Sequence, residues 1–130
     1  MANDTVRARR EAEIELTNEV EQLLKDKKNK GKLKWTGTVV DLMELLHIAF
    51  STGIIRDKYG IGITFTRLVS DICRRLGVDK PSNPYECALR GSRRKGVKST
   101  SFMQRYLRRR ASDTGSKDSG LWENIETAEQ

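Results

Sequence analysis

The sequence predicts a mostly α-helical protein, a bundle of three to four short helices preceded by an amphipathic N-terminal helix. Two observations lead to this prediction. Apolar residues recur at helical spacing in several segments, and these segments start at residues that cap helices well and are separated by short polar loops. Extended structure is expected only as a short strand at Leu33 and Trp35 or as a small wing, with Trp35 as a core anchor.

The first predicted helix covers residues 9–28, which contain neither proline nor glycine. Acidic residues crowd its front half and lysines its end, as the helix dipole favours. Its thin apolar stripe consists of Ile14, Leu16, Val20, Leu23 and Leu24. Such a stripe more often docks on its own domain than on a second copy. Residues 1–8 are expected to fray, and residues 1–32 are assigned to this helix and its linker.

Two amphipathic helices with clear ends follow. The first begins at Thr36 or Thr38 and stops at Gly53, and the second begins at Thr64 and stops at Gly77. Threonine suits the N-cap because its hydroxyl accepts a hydrogen bond from a free backbone N–H, and glycine suits the left-handed residue that ends a helix. Both segments therefore have the apolar pattern and the terminal signals of core helices.

The next helix has the strongest start signal in the chain. Asn83 suits the N-cap, Pro84 the first helical position, and Glu86 the acidic position of a capping box. Gly91 weakens the prediction further along, because an interior glycine costs a helix about 1 kcal/mol relative to alanine. Residues 91–101 are therefore compatible with a helix, a basic loop or a small wing.

A last core helix is expected to begin near residues 99–101 and to run into the arginines at 108–110. Together these helices define a domain over residues 33–110. Residues 111–130 are polar and acidic, and we assign them to a flexible tail. The stretch LWENIE at 121–126 has two interpretations, transient docking on the domain or disorder.

The charge of the chain is concentrated in one segment. The formal net charge is +7, and residues 84–110 contain nine basic residues and one acidic residue, Glu86. Residues 111–130 contain five acidic residues and one basic residue, Lys117. The nine cations are Arg90, Arg93, Arg94, Lys95, Lys98, Arg105, Arg108, Arg109 and Arg110. Since like charges at this density repel one another unless an anion neutralises them, the segment favours a polyanion-binding surface.

Two helices leading to a third with an arginine-rich outer face are typical of a helix-turn-helix or winged-helix-like fold, whose last helix lies in the major groove of DNA. Arginine can pair bidentately with guanine, and the hydroxyls and lysines of the loop suit phosphate oxygens. Those loop residues are Lys95, Lys98, Ser99, Thr100 and Ser101. Neutralising several phosphates would make the affinity fall steeply with salt.

Pairing on a helix surface and the helix dipole can account for some of these basic residues without a polyanion. Glu86 and Arg90 are one helical turn apart and can pair on the helix surface. The arginines at 108–110 close a helix, where the dipole favours cations. Four cations still have no acidic neighbour in the sequence, namely Arg93, Arg94, Lys95 and Lys98.

Several motifs between residues 33 and 110 occur together in one known family. They are the opening LKWTG, a D-L-x-E-L helix followed by Ala49, a leucine-glycine-valine turn, a tyrosine-led helix, an RK-rich loop and a Thr-x-Phe entry to the last helix. In these features the chain resembles the C-terminal domain of RteC-type transcriptional regulators, which are associated with bacterial conjugative transposons. The loop RDKYGIGI is more apolar than the family leads us to expect.

The resemblance implies a helix-turn-helix or winged-helix fold that binds double-stranded DNA and controls transcription. It carries over as DNA-contacting candidates the residues Tyr85, Arg90, Arg93, Arg94, Lys95 and Lys98. Ser99, Thr100 and Arg105, which belong to the same basic segment, complete the candidate site. A palindromic target would in addition imply a homodimer.

No catalytic constellation is visible, so we do not expect an enzyme, a metal or a small-molecule cofactor. His47 has no cysteine or serine partner at a telling spacing, and Cys73 falls on an apolar stripe as a core thiol would. Asp41 and Glu44 lie near the start of their helix, which suits the dipole better than metal binding. No segment approaches the roughly 20 apolar residues of a membrane span, so a cytoplasmic protein without a membrane partner is expected.

Three alternatives to a transcription regulator stay open. A small DNA-binding protein of a mobile element could be a recombination accessory factor. RNA binding is less favoured because aromatic residues are few and Tyr59 is the one candidate for an exposed stacking platform. A module that binds an acidic protein partner is the third, and residues 111–130 could act as an internal version of that partner.

Overall fold

The computed structural model describes residues 2–28, 32–94, 100–112 and 120–127. These residues form five α-helices, one 3₁₀ turn and a small antiparallel sheet, which confirms the predicted mostly helical fold with a short extended element. In chain order the elements are α1 (Ala2–Lys25), β1 (Leu33–Trp35), α2 (Val39–Ser51), α3 (Phe65–Leu76), α4 (Pro84–Ser92), α5 (Phe102–Ala111), the 3₁₀ turn (Trp122–Asn124) and β2 (Ile125–Thr127).

Capping residues set the helix ends that position the rest of the fold. The hydroxyls of Thr38 and Thr64 accept hydrogen bonds from the backbone N–H groups of Asp41 and Arg67, so these threonines are the N-caps of α2 and α3. Helix α3 ends at Gly77, whose φ of 65° lies in the left-handed region that favours glycine. These boundaries agree with those predicted from the sequence.

Helix α1 is longer than predicted and packs into the main core. It begins at Ala2, so residues 2–8 are helical where fraying was expected, and it ends at Lys25, three residues before the predicted end. Its buried side chains are Ala12, Leu16, Thr17, Val20 and Leu23. At its end, Arg75 of α3 donates hydrogen bonds to the carbonyl oxygens of Leu24 and Asp26 at 2.6 and 2.8 Å. Carbonyls at a helix end lack intrahelical partners, so Arg75 joins α3 to α1 at that point.

The C-terminal part of the described chain is integrated into the fold. Strand β2 pairs antiparallel with β1, with Leu33 opposite Thr127 and Trp35 opposite Ile125. Leu121 is fully buried beside α1, and its N–H donates to the carboxylate of Glu19 at 2.8 Å. The assignment of 111–130 to a flexible tail is therefore wrong for 120–127, because β1 offers an open edge and Leu121 an apolar anchor. Residues 113–119 and 128–130 lie outside the described residues.

Trp35 is the core anchor that the sequence predicts. Its side chain is buried, and its indole N–H donates to the carbonyl oxygen of Thr38 at 2.8 Å. Gly37 lies beside the ring, and a Cβ atom there would come to 3.0 Å from a ring carbon. The tryptophan thus fixes the turn from β1 into α2, which is the central helix of the bundle.

Candidate nucleic-acid interface

Helix α4 lies antiparallel to α2 and very close to it. Gly91 near the end of α4 faces Val40 and Glu44 of α2, while Tyr85 at its start lies beside His47, with 5.3 Å between ring centroids. A Cβ atom on Gly91 would approach Val40 Cγ1 to 2.9 Å and Glu44 Oε1 to 3.0 Å. Helix α4 continues through Gly91 to Ser92. The absence of a side chain at Gly91 lets the backbones of α4 and α2 approach each other at this position.

The outer face of α4 presents cations to solvent. Arg90 and Arg93 are exposed, and neither forms an ion pair within the part of the chain that the structure describes. Glu86 does not pair with Arg90; its carboxylate lies 3.4 Å from the side-chain amide of Asn83, the N-cap of the helix. Tyr85 is 52% exposed at the start of the same helix. We call Tyr85, Arg90 and Arg93 the α4 face.

Asp41 pairs with two cations of the basic segment, Arg94 and Arg105. Its carboxylate is buried near the start of α2 and accepts a hydrogen bond from Arg105 of α5 at 2.6 Å. Arg94, just after α4, lies 3.5 Å from the same oxygen. Arg94 has no acidic neighbour in the sequence, but the fold supplies a partner from a helix more than fifty residues earlier in the chain.

Glu44, one helical turn after Asp41, caps the start of α5. It is 2% exposed, and its two carboxylate oxygens accept hydrogen bonds from the backbone N–H groups of Phe102 and Met103 at 2.9 and 3.0 Å. The hydroxyl of Ser101 accepts from the N–H of Gln104, so three free amides of α5 are satisfied. Burial raises the pKa of Glu44 above its ordinary value, although the two backbone hydrogen bonds oppose this shift.

Most arginines of α5 are also held by carboxylates. Arg109 pairs with Glu123, the middle residue of the 3₁₀ turn. Arg110 pairs with both oxygens of Glu15 at 2.9 and 3.0 Å, which raises the pKa of the guanidinium, and it also lies 3.6 Å from Glu11. Arg108 is exposed and forms no ion pair among the described residues. The cationic surface is therefore smaller than the sequence indicates.

A cavity of about 420 Å³ runs along α5 toward Asn124. Arg105, Arg108 and Arg109 contribute to its walls, together with the ring of Phe102. The guanidinium of Arg105 lies 5.9 Å from the centroid of that ring. Arg105 is paired with Asp41 and Arg109 with Glu123, so Arg108 is the arginine of this cavity that has no ion pair among the described residues.

The structure thus divides the predicted site residues. Tyr85 and Arg90 on α4 and Arg93 at its C-cap are exposed, whereas Arg94 and Arg105 lie against Asp41. Thr100 is half-buried directly before the N-cap of α5. Three further candidates lie outside the described residues, namely Lys95, Lys98 and Ser99.

The positioning roles of Asp41 and Glu44 were missed from the sequence. We assigned both carboxylates to the dipole of their own helix, but both are buried and serve α5 and the segment after α4. The signal that could have revealed them is two acidic residues within an otherwise apolar helix, since a buried carboxylate needs a partner.

His47 lies among aromatic rings. Its ring centroid is 5.3 Å from those of both Phe65 and Tyr85, and burial lowers its pKa. Within the described residues no group of three histidine, cysteine, aspartate or glutamate side chains is placed to hold a metal ion. Cys73 and Cys87 are buried free thiols, and burial raises the pKa of Cys73 to about 11.

Fold and site together define a small helical bundle with a short sheet and a cationic region at the end of α4. No family model, curated protein or solved structure matches this chain. Among the described residues, none of the helices combines the length and the apolar character that crossing a membrane requires.

Proposed function

We propose that this chain is a sequence-specific double-stranded DNA-binding protein in which α4 enters the major groove. The observation that carries the proposal is the α4 face, where Arg90 and Arg93 point away from α2 and pair with no carboxylate in the described part of the chain. Arginine side chains that no carboxylate occupies can bind the edges of guanine bases, and arginine contacts to guanine are the commonest specific contacts in DNA complexes.

Residues 77–83 join α3 to α4 and begin with a glycine, and this connection is longer than the turn of about three or four residues in a simple helix-turn-helix. The proposal therefore rests on the α4 face and on the cations near it. Arg108 is exposed in the wall of the cavity along α5 and suits phosphate oxygens, contacts to which fix register without reading sequence.

Transcription regulation is the role that we propose for this binding, because the sequence resembles RteC-type regulators of conjugative transposons. A recombination accessory factor of a mobile element would use the same surface and is the second candidate. The α4 face favours duplex DNA over RNA, since only one aromatic side chain, Tyr85, accompanies its arginines.

The decisive experiment compares two charge reversals of equal size. A duplex selected from a random DNA pool is titrated with the wild type, with Arg90→Glu/Arg93→Glu, and with Arg7→Glu/Arg10→Glu on α1. Both pairs are exposed arginines three residues apart. Arg94 is left intact because a glutamate there would lie beside Asp41.

We expect the α4 variant to lose at least about 30-fold in affinity, since each specific arginine contact contributes about 1–3 kcal/mol, and to show a shallower dependence on salt. The α1 variant should bind nearly as the wild type does, and both should keep helical circular dichroism. Equal losses in the two variants, or a preference of the wild type for single-stranded RNA in direct competition, would overturn the proposal. A palindromic selected site would indicate a homodimer.

A further inference from the structure

We propose that the hairpin at residues 55–63 and the outer face of α3 form a docking surface for an acidic segment of another protein that carries an apolar side chain. This surface is called the hairpin groove below. It contains neither the α4 face nor the cavity along α5, and the proposal does not depend on DNA binding.

The hairpin is held in one conformation by Asp57. The N–H of Ile63 donates to the carbonyl of Ile55 at 3.1 Å, and the N–H of Asp57 donates to the carbonyl of Ile61 at 2.7 Å. The side chain of Asp57 accepts two further hydrogen bonds, from the backbone N–H groups of Tyr59 and Ile61 at 2.9 and 3.0 Å. The tip is therefore a preorganised turn that does not depend on hydrophobic burial of its own side chains.

This rigid tip presents large apolar side chains to solvent. Tyr59 is 75% exposed and Ile61 is 64% exposed, and Ile54 at the base of the hairpin is 40% exposed. Tyrosine and arginine are enriched in protein interfaces, and a side chain held in place before binding loses less conformational entropy when a partner arrives. Exposed apolar residues grouped on one short segment are typical of an interaction site.

The space between the hairpin and α3 is cationic with an apolar part. A cavity of about 270 Å³ is lined by five cations and two acids, with Leu24 and Ile63 among its walls. The cations are Arg56, Lys58, Arg67, Arg74 and Arg75. One acid, Asp57, accepts hydrogen bonds from backbone N–H groups of the turn. The other, Asp71, pairs with Arg67 at 3.2 Å and with Arg74 at 2.9 Å.

Two features favour a protein over a nucleic acid as the occupant. The exposed side chains include two isoleucines, which have no role against phosphates but fit an apolar side chain of a partner. Of the five cations, Arg75 is bound to backbone carbonyls and Arg67 and Arg74 to Asp71, so within the described residues only Arg56 and Lys58 are without a carboxylate or a buried partner. A few well-placed carboxylates match this charge better than a continuous phosphate backbone does.

The test starts with selection of short random peptides displayed on phage against the full chain, without DNA. We expect enriched peptides to combine acidic residues with leucine, isoleucine or an aromatic residue. A labelled synthetic peptide of the enriched sequence is then titrated by fluorescence anisotropy with the wild type and with two hairpin variants, Tyr59→Ala/Ile61→Ser and Arg56→Glu/Lys58→Glu. We expect each variant to bind at least about tenfold more weakly, as for interface hot spots.

Matched control variants distinguish an effect of the hairpin groove from a general effect of net charge or of exposed apolar side chains. Arg7→Glu/Arg10→Glu makes the same charge change on α1, and Ile14→Ala removes a partly exposed apolar side chain there. Both should bind the peptide as the wild type does. The proposal is overturned if no acidic peptide is enriched, if the hairpin variants bind normally, or if they lose duplex DNA affinity as strongly as Arg90→Glu/Arg93→Glu, which would make the groove a nucleic-acid contact.

Discussion

At the residue scale, two buried carboxylates on α2 position α5 and the residue that follows the C-cap of α4. Asp41 holds Arg105 and Arg94, and Glu44 holds the first amides of α5. An ionised carboxylate in the interior is tolerated only when hydrogen bonds replace its lost hydration. The two acids therefore couple the start of α5 and the end of α4 to the central helix.

Glu44 should make stability depend on pH in a recognisable direction. Its pKa in the folded chain is raised above the ordinary 4.5, so the folded state binds more protons than the unfolded state between these two values. We expect the unfolding free energy of the wild type, relative to Glu44→Gln, to rise as the pH falls through the folded-state pKa and to level off below 4.5. Urea unfolding followed by circular dichroism across this range measures the difference.

The glutamine variant is the reference in this comparison because it removes one titrating group while the other carboxylates still titrate. A relative stability that instead increases as the pH rises would mean that the two backbone hydrogen bonds to Glu44 outweigh its burial.

Residue-level predictions from the sequence were reliable where the partner is local. Thr64 and Asn83 were identified as N-caps because an N-cap bonds to an amide three residues ahead, which the sequence displays directly. The partners of Arg94 and Arg105 could not be read in this way. Asp41 precedes both by more than fifty residues, and only tertiary packing brings them together.

At the element scale, the close packing of α4 on α2 decides how the arginines are displayed. The side of α4 that meets α2 consists of small or slim residues, namely Cys87, Ala88 and Gly91. Small residues let two helices approach closely, and this brings the end of α4 next to Glu44 and hence to the start of α5. The outer residues Arg90 and Arg93 are left facing solvent as a consequence.

Replacing Gly91 by alanine tests this packing. Alanine favours a helix over glycine by about 1 kcal/mol, but the new methyl group would meet the stiff side chain of Val40 and an oxygen of Glu44 that is already bonded to α5. Overpacking of this kind costs about 1–3 kcal/mol. We expect Gly91→Ala to lower the unfolding free energy by about 1 kcal/mol, because the overpacking exceeds the helix gain.

The control is Ser92→Ala, the next position on the same helix but exposed, which should change stability by less than about 0.5 kcal/mol. Both are measured by urea denaturation. A stabilised Gly91→Ala would show that α4 does not need the close approach.

Element types were predictable from periodicity, whereas sheet pairing was not. The apolar stripe of α3 and its two terminal signals define it almost to the residue. Strand β2 is only three residues long and its partner lies about ninety residues earlier in the chain, so no local pattern marks the pairing. What the sequence did offer was Leu121 and Trp122, two large apolar residues in an otherwise polar stretch.

At the scale of the whole molecule, the fold neutralises much of the charge that the sequence concentrates in one segment. Helix α1 supplies Glu11 and Glu15 to Arg110, and the segment before β2 supplies Glu123 to Arg109. Arg90, Arg93 and Arg108 stay without an ion pair among the described residues. The net charge of a segment therefore overstates the surface available to a polyanion.

Releasing Arg109 should enlarge that surface. If the chain binds DNA as we propose, Glu123→Gln frees the guanidinium at the edge of the cavity along α5, and we expect the affinity for duplex DNA to rise about two- to fivefold at low salt. The matched control is Glu126→Gln on β2, which removes the same charge without breaking that ion pair. Anisotropy titrations of both variants measure the effect, and equal gains would show that only net charge matters.

The pairing of β1 with β2 also determines the order in which the molecule can be completed. Strand β2 is synthesised after α1 to α5, so a nascent chain carries those helices while the edge of β1 is still bare. A bare edge is a template for any passing strand, including that of a second nascent copy. Expression at high concentration or on crowded polysomes should therefore favour strand-exchanged oligomers. A slow final closing step should be visible in refolding as a late change in tryptophan fluorescence, to which Trp35 and Trp122 both contribute.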